Sequence, residues 1–391
     1  MERFETTHQH GSTALLSNVR ICVICVIMAC SATCGISQDS KNLAKGSNPS
    51  PEEMQRFSSV PNFEWKENKN GIKKGYFTNL NPRTKHIKRA AWWEVARFYL
   101  FKPKNAKPKH PLPFSQTNLK TLHTQNPAFV WFGHSSFMLE MQGFKILVDP
   151  VFSNYASPYP WINRAFASHI HWGKEDFDSI DVLVITHDHY DHLDYPTIIA
   201  LKDKVKHFVV PLGVGSHLRF WGVDSQKITE LQWWQSLKLT PSITITSTPS
   251  QHSSGRTIEW DRTLWSSYVL EMAGIKIFLS GDGGYYTHFK EIGEKFGGID
   301  VAILENGQYN QAWRFSHSFT NEVLQAAIDL KAKMIIPIHY GRFVSGSHAW
   351  NEPLKNLIAL CDGANIPISV PMLGEVYDFT TPPKREIWWD F

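Results

Sequence analysis

The stretch Asp181-Val-Leu-Val-Ile-Thr-His-Asp-His-Tyr-Asp-His-Leu-Asp194 runs from an apolar segment directly into a cluster of potential metal ligands. These ligands are His187, His189, Asp191 and His192. Imidazole and carboxylate groups are costly to bury without a partner, so such groups rarely follow a buried strand unless a partner is present. The stretch therefore predicts a strand that ends at the rim of a sheet and presents its last residues to metal ions. The alternative is a polar loop in which the histidines coincide by chance.

The spacing of these ligands divides them between two ions. Alternate residues of an extended chain point the same way, so His187 and His189 can bind one ion. Asp191 and His192 lie past the end of the strand, where a turn can direct both towards a second ion. Two neighbouring ions need three or more protein ligands each and a bridging anion, with positions left open for water or substrate. Further ligands must therefore come from other parts of the chain.

Four other apolar runs lead to a potential ligand in the same way as the first one does. The residues at or shortly after their ends are Asp149, His252, Asp282 and His339. Open α/β sheets gather their sites at strand ends. A lone histidine in such a place is usually structural, but several together, each after an apolar run, indicate a shared site.

This combination of motifs resembles the metallo-β-lactamase-fold hydrolases. Within that superfamily the chain resembles N-acyl-phosphatidylethanolamine-hydrolysing phospholipase D and its bacterial relatives. The matching segments cover residues 127–376 in order, and they are Trp131-Phe-Gly-His-Ser135, Leu147-Val-Asp-Pro-Val-Phe-Ser153, His187-Asp-His-Tyr-Asp-His-Leu-Asp-Tyr195, Pro249-Ser-Gln-His252, Gly281-Asp-Gly-Gly-Tyr285, Glu291-Ile-Gly-Glu-Lys-Phe-Gly297 and Ile338-His-Tyr-Gly341. The resemblance implies an α/β protein with the four-layer αβ/βα metallo-β-lactamase fold.

The resemblance also implies a complete set of ligands for two zinc ions. Three histidines would hold the first ion, one aspartate and two histidines would hold the second, and a further aspartate would bridge both. The ligands of the first ion would be His187, His189 and His252, and those of the second would be Asp191, His192 and His339. The bridging aspartate would be Asp282. Manganese or iron could occupy the same histidine-rich, oxygen-bridged sites.

Several other residues gain roles from the resemblance. Asp149 would orient a ligand imidazole, as metal-bound histidines commonly require, and His134 would brace the floor of the site rather than bind metal. His317 matches a family histidine near the site and would contact phosphate or the leaving group; the alternative is an exposed residue at the start of a helix. The candidates for the pocket walls, and so for substrate binding, are Tyr190, Tyr195, Tyr285 and Trp161.

The implied chemistry is hydrolysis of a phosphodiester by water that two zinc ions activate, because such ions lower the pKa of water from ~15.7 to near ~7. Asp282 would accept the proton of the nucleophile. The implied enzyme is a binuclear zinc phosphodiesterase of phospholipase D type that cleaves an N-acyl-phosphatidylethanolamine-like phospholipid. The alternatives are a lactonase or amide hydrolase of the same fold and a non-catalytic metal-binding lipoprotein. Structural zinc sites are normally closed by four protein ligands, so an open two-metal set argues against the last alternative.

Composition narrows the expected partners. The 391 residues can bury a large core. The net charge of +4 does not suggest nucleic acid. The aromatic fraction of 13% suits a site or surface that meets apolar ligands. We therefore expect an amphiphilic phosphodiester substrate such as a phospholipid, contact with a membrane surface and, from the family, a homodimer.

The N-terminal residues predict targeting rather than catalysis. Residues 21–29 form an apolar run that is too short for a bilayer span but suits the core of a secretory signal. The following Cys30 completes a segment that resembles a bacterial lipobox, with plain signal cleavage or a start codon set too far upstream as alternatives. We assign residues 1–34 to a signal or lipoprotein-type segment and residues 35–82 to a tether and N-terminal extension. The expected location is the bacterial cell envelope, as a membrane-anchored lipoprotein or a periplasmic protein.

The catalytic domain is assigned to residues 83–391, and it begins with a basic aromatic stretch, residues 83–110. This stretch holds nine Lys or Arg and one acidic residue, a charge of +8 against +4 for the whole chain. Five aromatic residues accompany the basic ones. One interpretation is an interfacial element that meets anionic headgroups and acyl chains. The other is a helix packed on the core with a solvated basic face.

Overall fold

The computed structural model describes residues 43–85 and 101–390. One compact unit comprises Ala44–Phe391, so the extension from Ala44 onwards shares a unit with the predicted catalytic domain. The predicted signal or lipoprotein-type segment and residues 86–100 of the basic aromatic stretch lie outside the described residues. Among the described residues, no helix combines the length and the apolar character that crossing a membrane requires.

The N-terminal extension forms a short helix and a hairpin. Helix α1 (Pro51–Arg56) begins with a reciprocal capping box, in which the Ser50 hydroxyl accepts the N–H of Glu53 and the Glu53 carboxylate accepts the N–H of Ser50. Strands β1 (Phe63–Glu67) and β2 (Lys73–Phe77) then pair antiparallel. Phe77 is fully buried in a small core with Trp265, so burial of apolar surface attaches the hairpin to the rest of the unit.

A seven-stranded sheet carries the first metal-ligand candidates. Its strands in spatial order are β15 (Val376–Asp378), β3 (Ala128–Gly133), β4 (Ser136–Met141), β5 (Phe144–Val148), β6 (Ile180–Val184), β7 (Val205–Pro211) and β8 (Ile228–Leu231). Strands β5 to β8 run parallel, and β15, β3, β4 and β5 are antiparallel neighbours. Helices α2 (Tyr195–Leu201) and α3 (Gly215–Phe220) pack on one face of this sheet.

A six-stranded sheet carries the remaining candidates. Its strands in spatial order are β14 (Ala332–Ile338), β13 (Ile299–Glu305), β12 (Ile275–Leu279), β11 (Ser267–Met272), β10 (Ile243–Thr248) and β9 (Ser236–Thr240), of which β12 to β14 are parallel. The helices on its outer face are α4 (His288–Lys295), α5 (Thr320–Asp329) and α6 (Glu352–Ala364). Short 3-10 turns lie at Phe57–Ser59, Pro82–Thr84, Lys174–Asp176, Ser225–Lys227 and Gln311–Trp313.

Alternation along the strands builds the layers. In β3, Phe129 and Trp131 point into the core between the two sheets, whereas Val130 and Phe132 point into the core beneath α2 and α3. All four side chains are at most 1% exposed. The sequence therefore buries both faces of the sheet, which requires helices on its outer side. The result is the predicted four-layer αβ/βα arrangement, and that prediction is confirmed.

Candidate metal centre

Three histidines form the first half of the site. His187 follows β6, His189 lies two residues further on, and His252 follows β10. The Nδ1 atom of His189 is 3.0 Å from Nε2 of His187 and 3.1 Å from Nε2 of His252. The structure thus brings together the three residues that the resemblance assigned to one ion, with their ligand atoms within 4.8 Å of one another.

A second group contains the ligands that the resemblance assigned to the other ion. Asp191, His192 and His339 lie together, and their ligand atoms are again within 4.8 Å of one another. His134 joins this group: its Nε2 is 3.0 Å from an Asp191 carboxylate oxygen, and its ring centroid is 4.1 Å from that of His339. His134 is therefore placed to hold Asp191 and to pack beneath His339.

Asp282 lies between the two groups. Its Oδ2 atom is 3.1 Å from Nε2 of His192, 3.8 Å from Nε2 of His252 and 3.9 Å from Nε2 of His187. Its Oδ1 atom is 2.6 Å from Nδ1 of His339. One carboxylate therefore reaches ligand atoms of both groups, which is the geometry that a bridging ligand needs.

An unpaired buried nitrogen atom tests whether this pocket fits a metal ion. The Nε2 atom of His339 is buried and has no hydrogen-bond partner among the described residues. Leaving such an atom unpaired costs about 1–3 kcal/mol, so this nitrogen is available to a ligand from outside the protein. Imidazole nitrogens with carboxylate oxygens suit zinc, manganese or iron, and the donor set fits such an ion.

Electrostatics prepare the ligands for a cation. Burial, reinforced by neighbouring imidazoles, holds the pKa values of His187 and His252 well below the usual range, so both rings stay neutral and can donate a lone pair. Burial would raise the pKa of Asp282, but His192 and His339 outweigh it and keep that pKa well below its usual range. The carboxylate is therefore charged and available as a ligand.

Hydrogen bonds from outside the ligand set fix the rings. Asp149 accepts from the N–H of Thr186 at 2.8 Å and from its hydroxyl at 2.6 Å, and its Oδ2 atom is 2.8 Å from Nδ1 of His192. Asp149 therefore fixes the orientation of the His192 ring and directs its other nitrogen, Nε2, towards Asp282. This is the arrangement expected of a residue that orients a metal ligand. The hydroxyl of Ser135 lies 3.0 Å from Nδ1 of His339.

Three site residues have left-handed backbone conformations. The φ angles are 53° for His134, 41° for Asp149 and 69° for His339. Such conformations cost about 1–3 kcal/mol each for residues other than glycine, and they persist only where the surroundings over-determine them. Here the N–H of His339 donates to the carbonyl of His134 at 2.9 Å, so the two strained residues hold each other beside the metal ligands.

Glu305 and His317 form a further pair at the edge of the site. Oε2 of Glu305 is 2.8 Å from Nδ1 of His317, and Oε1 accepts the N–H of Ser318 at 2.9 Å. Burial alone would lower the pKa of His317, but the Glu305 carboxylate outweighs it and raises the pKa to about 9. The His317 side chain is 14% exposed, so the cationic ring remains within reach of solvent. The centroid of the His317 ring is 5.3 Å from the centroid of the His252 ring.

Glu305 is a site residue that the sequence analysis missed, although the signal was there. The segment Ile299-Asp-Val-Ala-Ile-Leu-Glu305 is an apolar run that ends on a carboxylate, the same pattern that indicated Asp149. It forms β13, between β12 and β14. Since the two neighbouring strands lead to Asp282 and His339, strand order alone would have placed Glu305 beside them.

The predicted substrate-binding tyrosines all have partners inside the protein. The Tyr190 hydroxyl donates to the carbonyl of Arg256 at 2.7 Å, and the Arg256 guanidinium lies 4.0 Å from the centroid of the Tyr190 ring. Tyr195 packs on Trp221, and the Tyr285 hydroxyl donates to Asp329 at 2.6 Å. The ring of Trp161, the fourth candidate, lies against Tyr159. The role of these residues in substrate binding stays a prediction.

Zinc is expected to stabilise the protein where magnesium does not. At a free Zn²⁺ concentration of 100 times Kd, binding to the folded state alone raises the free energy of unfolding by about 2.7 kcal/mol. Mg²⁺ prefers an octahedron of oxygen ligands, which this histidine-rich pocket does not supply. Thermal unfolding of chelator-treated full-length protein with each ion measures the difference. Equal stabilisation by both ions, or by neither, would contradict the assignment of this pocket to a transition metal.

Comparison with known proteins gives a consistent set of relatives. The sequence model of the beta-lactamase superfamily domain matches residues 145–340. An uncharacterized protein of Mycobacterium tuberculosis is 34% identical over 325 residues, which cover 81% of this chain and 86% of that protein. The N-acyl-phosphatidylethanolamine-hydrolyzing phospholipase D 1 of Caenorhabditis elegans is 30% identical over 266 residues, which cover 64% of this chain and 74% of that protein.

Solved structures agree at the level of the fold. Igni18, a metallo hydrolase from Ignicoccus hospitalis, superposes with a TM-score of 0.50 at 22% identity and covers 64% of this chain and 97% of that chain. An isothiocyanate hydrolase from Delia radicum gut bacteria gives a TM-score of 0.51 at 19% identity and covers 64% of this chain and 98% of that chain. At these identities the likeness extends to the fold and not to the substrate.

Proposed function

This chain belongs to the β-lactamase superfamily of metal-dependent hydrolases, and from that premise we propose that it is a two-metal phosphodiesterase of phospholipase D type. The proposed substrate is an N-acyl-phosphatidylethanolamine-like phospholipid. The observation that carries the proposal is the position of Asp282, whose carboxylate reaches ligand atoms of both histidine groups. The name of the Caenorhabditis elegans relative supports the substrate class.

The residues that would hold the ions follow from the two groups. The first ion would lie among His187, His189 and His252, and the second among Asp191, His192 and His339, with Asp282 shared. When bound, two such ions lower the pKa of water towards neutrality and offset the negative charge that builds on a phosphodiester. Zinc is the proposed ion because the ligands are mainly imidazoles.

The chain's own residues supply the proton transfers. Asp282 keeps a charged carboxylate in the centre of the site, and its position between the two groups makes it the proposed acceptor of the proton of the attacking water. His317 holds a proton at neutral pH, because Glu305 raises its pKa to about 9. Since Nδ1 of His317 faces Glu305, the other ring nitrogen is free to give a proton to the departing alcohol or to contact a phosphate oxygen.

A panel of substrates tests the proposed function. We expect zinc-loaded full-length protein to convert N-acyl-phosphatidylethanolamine in mixed micelles to phosphatidic acid and N-acylethanolamine, with little turnover of a lactone or nitrocefin. Because water attacks phosphorus in this reaction, hydrolysis in ¹⁸O-labelled water should place the label in phosphatidic acid. Turnover of the lactone alone would show carboxyl chemistry instead. Label in the N-acylethanolamine would show that the carbon–oxygen bond breaks.

The membrane surface belongs to the same proposal. A phospholipid substrate is presented at an interface, and residues 101–110 of the basic aromatic stretch carry exposed lysines and Phe101, whose side chain is 75% exposed. These features support contact with anionic lipid. The envelope location and the lipoprotein-type anchor remain part of the proposal, because their residues lie outside the described part of the chain.

A further inference from the structure

Asn79, in the N-terminal extension, makes a two-point contact with the backbone of a predicted metal ligand. Its Nδ2 donates to the carbonyl oxygen of His252 at 2.8 Å, and its Oδ1 accepts the N–H of the same residue at 3.0 Å. The Asn79 side chain is 5% exposed and lies 173 residues away from His252 in the sequence. The Asn79 amide thus makes the two hydrogen bonds to the N–H and the carbonyl of His252 that a neighbouring strand would make in a sheet.

The His252 ring is fixed by a second, separate contact. Its Nδ1 lies 2.9 Å from the carbonyl oxygen of Ser316, so the ring donates there and leaves Nε2 as the ligand atom. Nε2 then lies 3.1 Å from Nδ1 of His189 and 3.8 Å from Asp282. Asn79 sets the backbone, and Ser316 sets the rotation of the ring. We propose that Asn79 is a positioning residue, which aims His252 at the metal.

The β1–β2 hairpin, which ends two residues before Asn79, is itself held against the body of the unit. The N–H of Phe77 donates to the carbonyl of Asp261 at 2.8 Å. Arg262 donates to a carbonyl of β2 at 2.7 Å. Thr78, the residue after Phe77, donates its N–H to the carbonyl of Asn62 at 2.8 Å. These bonds and the buried core around Phe77 give Asn79 a rigid base, so the extension is part of the metal centre's support rather than a spacer before it.

The chemistry of the contact requires asparagine. The amide offers one donor and one acceptor in a plane, which matches the carbonyl and N–H of a single residue. Aspartate would keep the acceptor but place a second oxygen against the His252 carbonyl. Alanine would leave both buried backbone groups without this partner. Removing an outer partner of a metal ligand typically weakens metal binding by about 10–100-fold.

Zinc affinity in the absence of substrate tests this inference. We compare full-length wild-type protein with Asn79→Ala and Asn79→Asp by competition for Zn²⁺ with a chromophoric chelator. Both variants are expected to bind one of the two ions about 10–100-fold more weakly. The matched control is Asn68→Ala, which removes an asparagine from the turn of the β1–β2 hairpin, where its side chain accepts the N–H groups of Asn70 and Ile72 rather than contacting a metal ligand. Its zinc affinity should equal that of wild type.

Two results would overturn the inference. One is wild-type zinc affinity in both Asn79 variants while circular dichroism shows them folded; Asn79→Asp preserves the size of the side chain if Asn79→Ala does not fold. The other is an equal loss in Asn68→Ala, which would mean that the hairpin acts only through general stability. The inference rests on the proposed function only through His252 as a ligand. A wild type that binds zinc but hydrolyses no phosphodiester would refute the proposed function and leave the role of Asn79 standing.

Discussion

Replacing Asp282 with asparagine is expected to lower kcat for phosphodiester hydrolysis by at least about 100-fold, since losing a ligand should cost no less than losing an outer partner. The change preserves size but removes a negative charge that lies within 4 Å of His187, His192 and His252. A neutral amide neither bridges two cations well nor accepts a proton. Steady-state kinetics at saturating zinc, with the zinc content measured in the same samples, checks both effects.

The matched control for Asp282→Asn is Asp300→Asn. Asp300 lies on β13, where its carboxylate accepts the N–H of Lys276 at 2.8 Å and pairs with Lys333 at 2.7 Å. It is an aspartate of the same sheet outside the metal centre, so its replacement should leave kcat and zinc content unchanged. Full zinc content and full activity in Asp282→Asn would show that the two groups of ligands function without a shared carboxylate.

The resemblance predicted the fold and the grouping of the ligand candidates, and the strand pattern gives a physical reason why these candidates converge. The ligands follow β6, β10, β12 and β14. Strands β10 and β12 run in the same direction because each is antiparallel to β11, and β12 to β14 are parallel, so these strands end at the same edge of the six-stranded sheet. Strand β6 belongs to the other sheet. Apolar runs that end on polar residues therefore converge, whatever loops connect them. The structure brings together the seven side chains that the resemblance named.

Apart from Asp149, the outer partners of the ligands could not be predicted in the same way. Asn79 reaches His252 because a hairpin folds back over a loop, and no periodicity in the sequence records such a contact. The Tyr190 hydroxyl is directed to a backbone carbonyl of Arg256 by the conformation of two loops. Strand patterns fix which residues share an edge of a sheet, but loop conformations decide which side chains face the substrate.

His317→Ala is expected to slow hydrolysis of an alkyl phosphodiester by about 10²–10⁴-fold, the usual contribution of a general acid. The same variant should lose far less activity on bis-p-nitrophenyl phosphate. An alkoxide is a strong base that must receive a proton as it leaves, whereas nitrophenolate is a weak base that departs without one. The ratio of the two losses therefore separates proton donation from contact with phosphate. An equal loss on both substrates would assign His317 to phosphate binding.

The pH dependence of kcat in Glu305→Gln tests the same role of His317 as a proton donor. Glu305 raises the pKa of His317 to about 9, and a general acid must carry its proton, so kcat on the alkyl substrate falls as pH rises through that pKa. Glutamine preserves the size of the side chain but removes the charge that raises the pKa, so the alkaline limb should move to lower pH. Glu322→Gln is the control, because Glu322 pairs with Arg314 and should leave the limb in place. An unmoved limb in Glu305→Gln would mean that another group donates the proton.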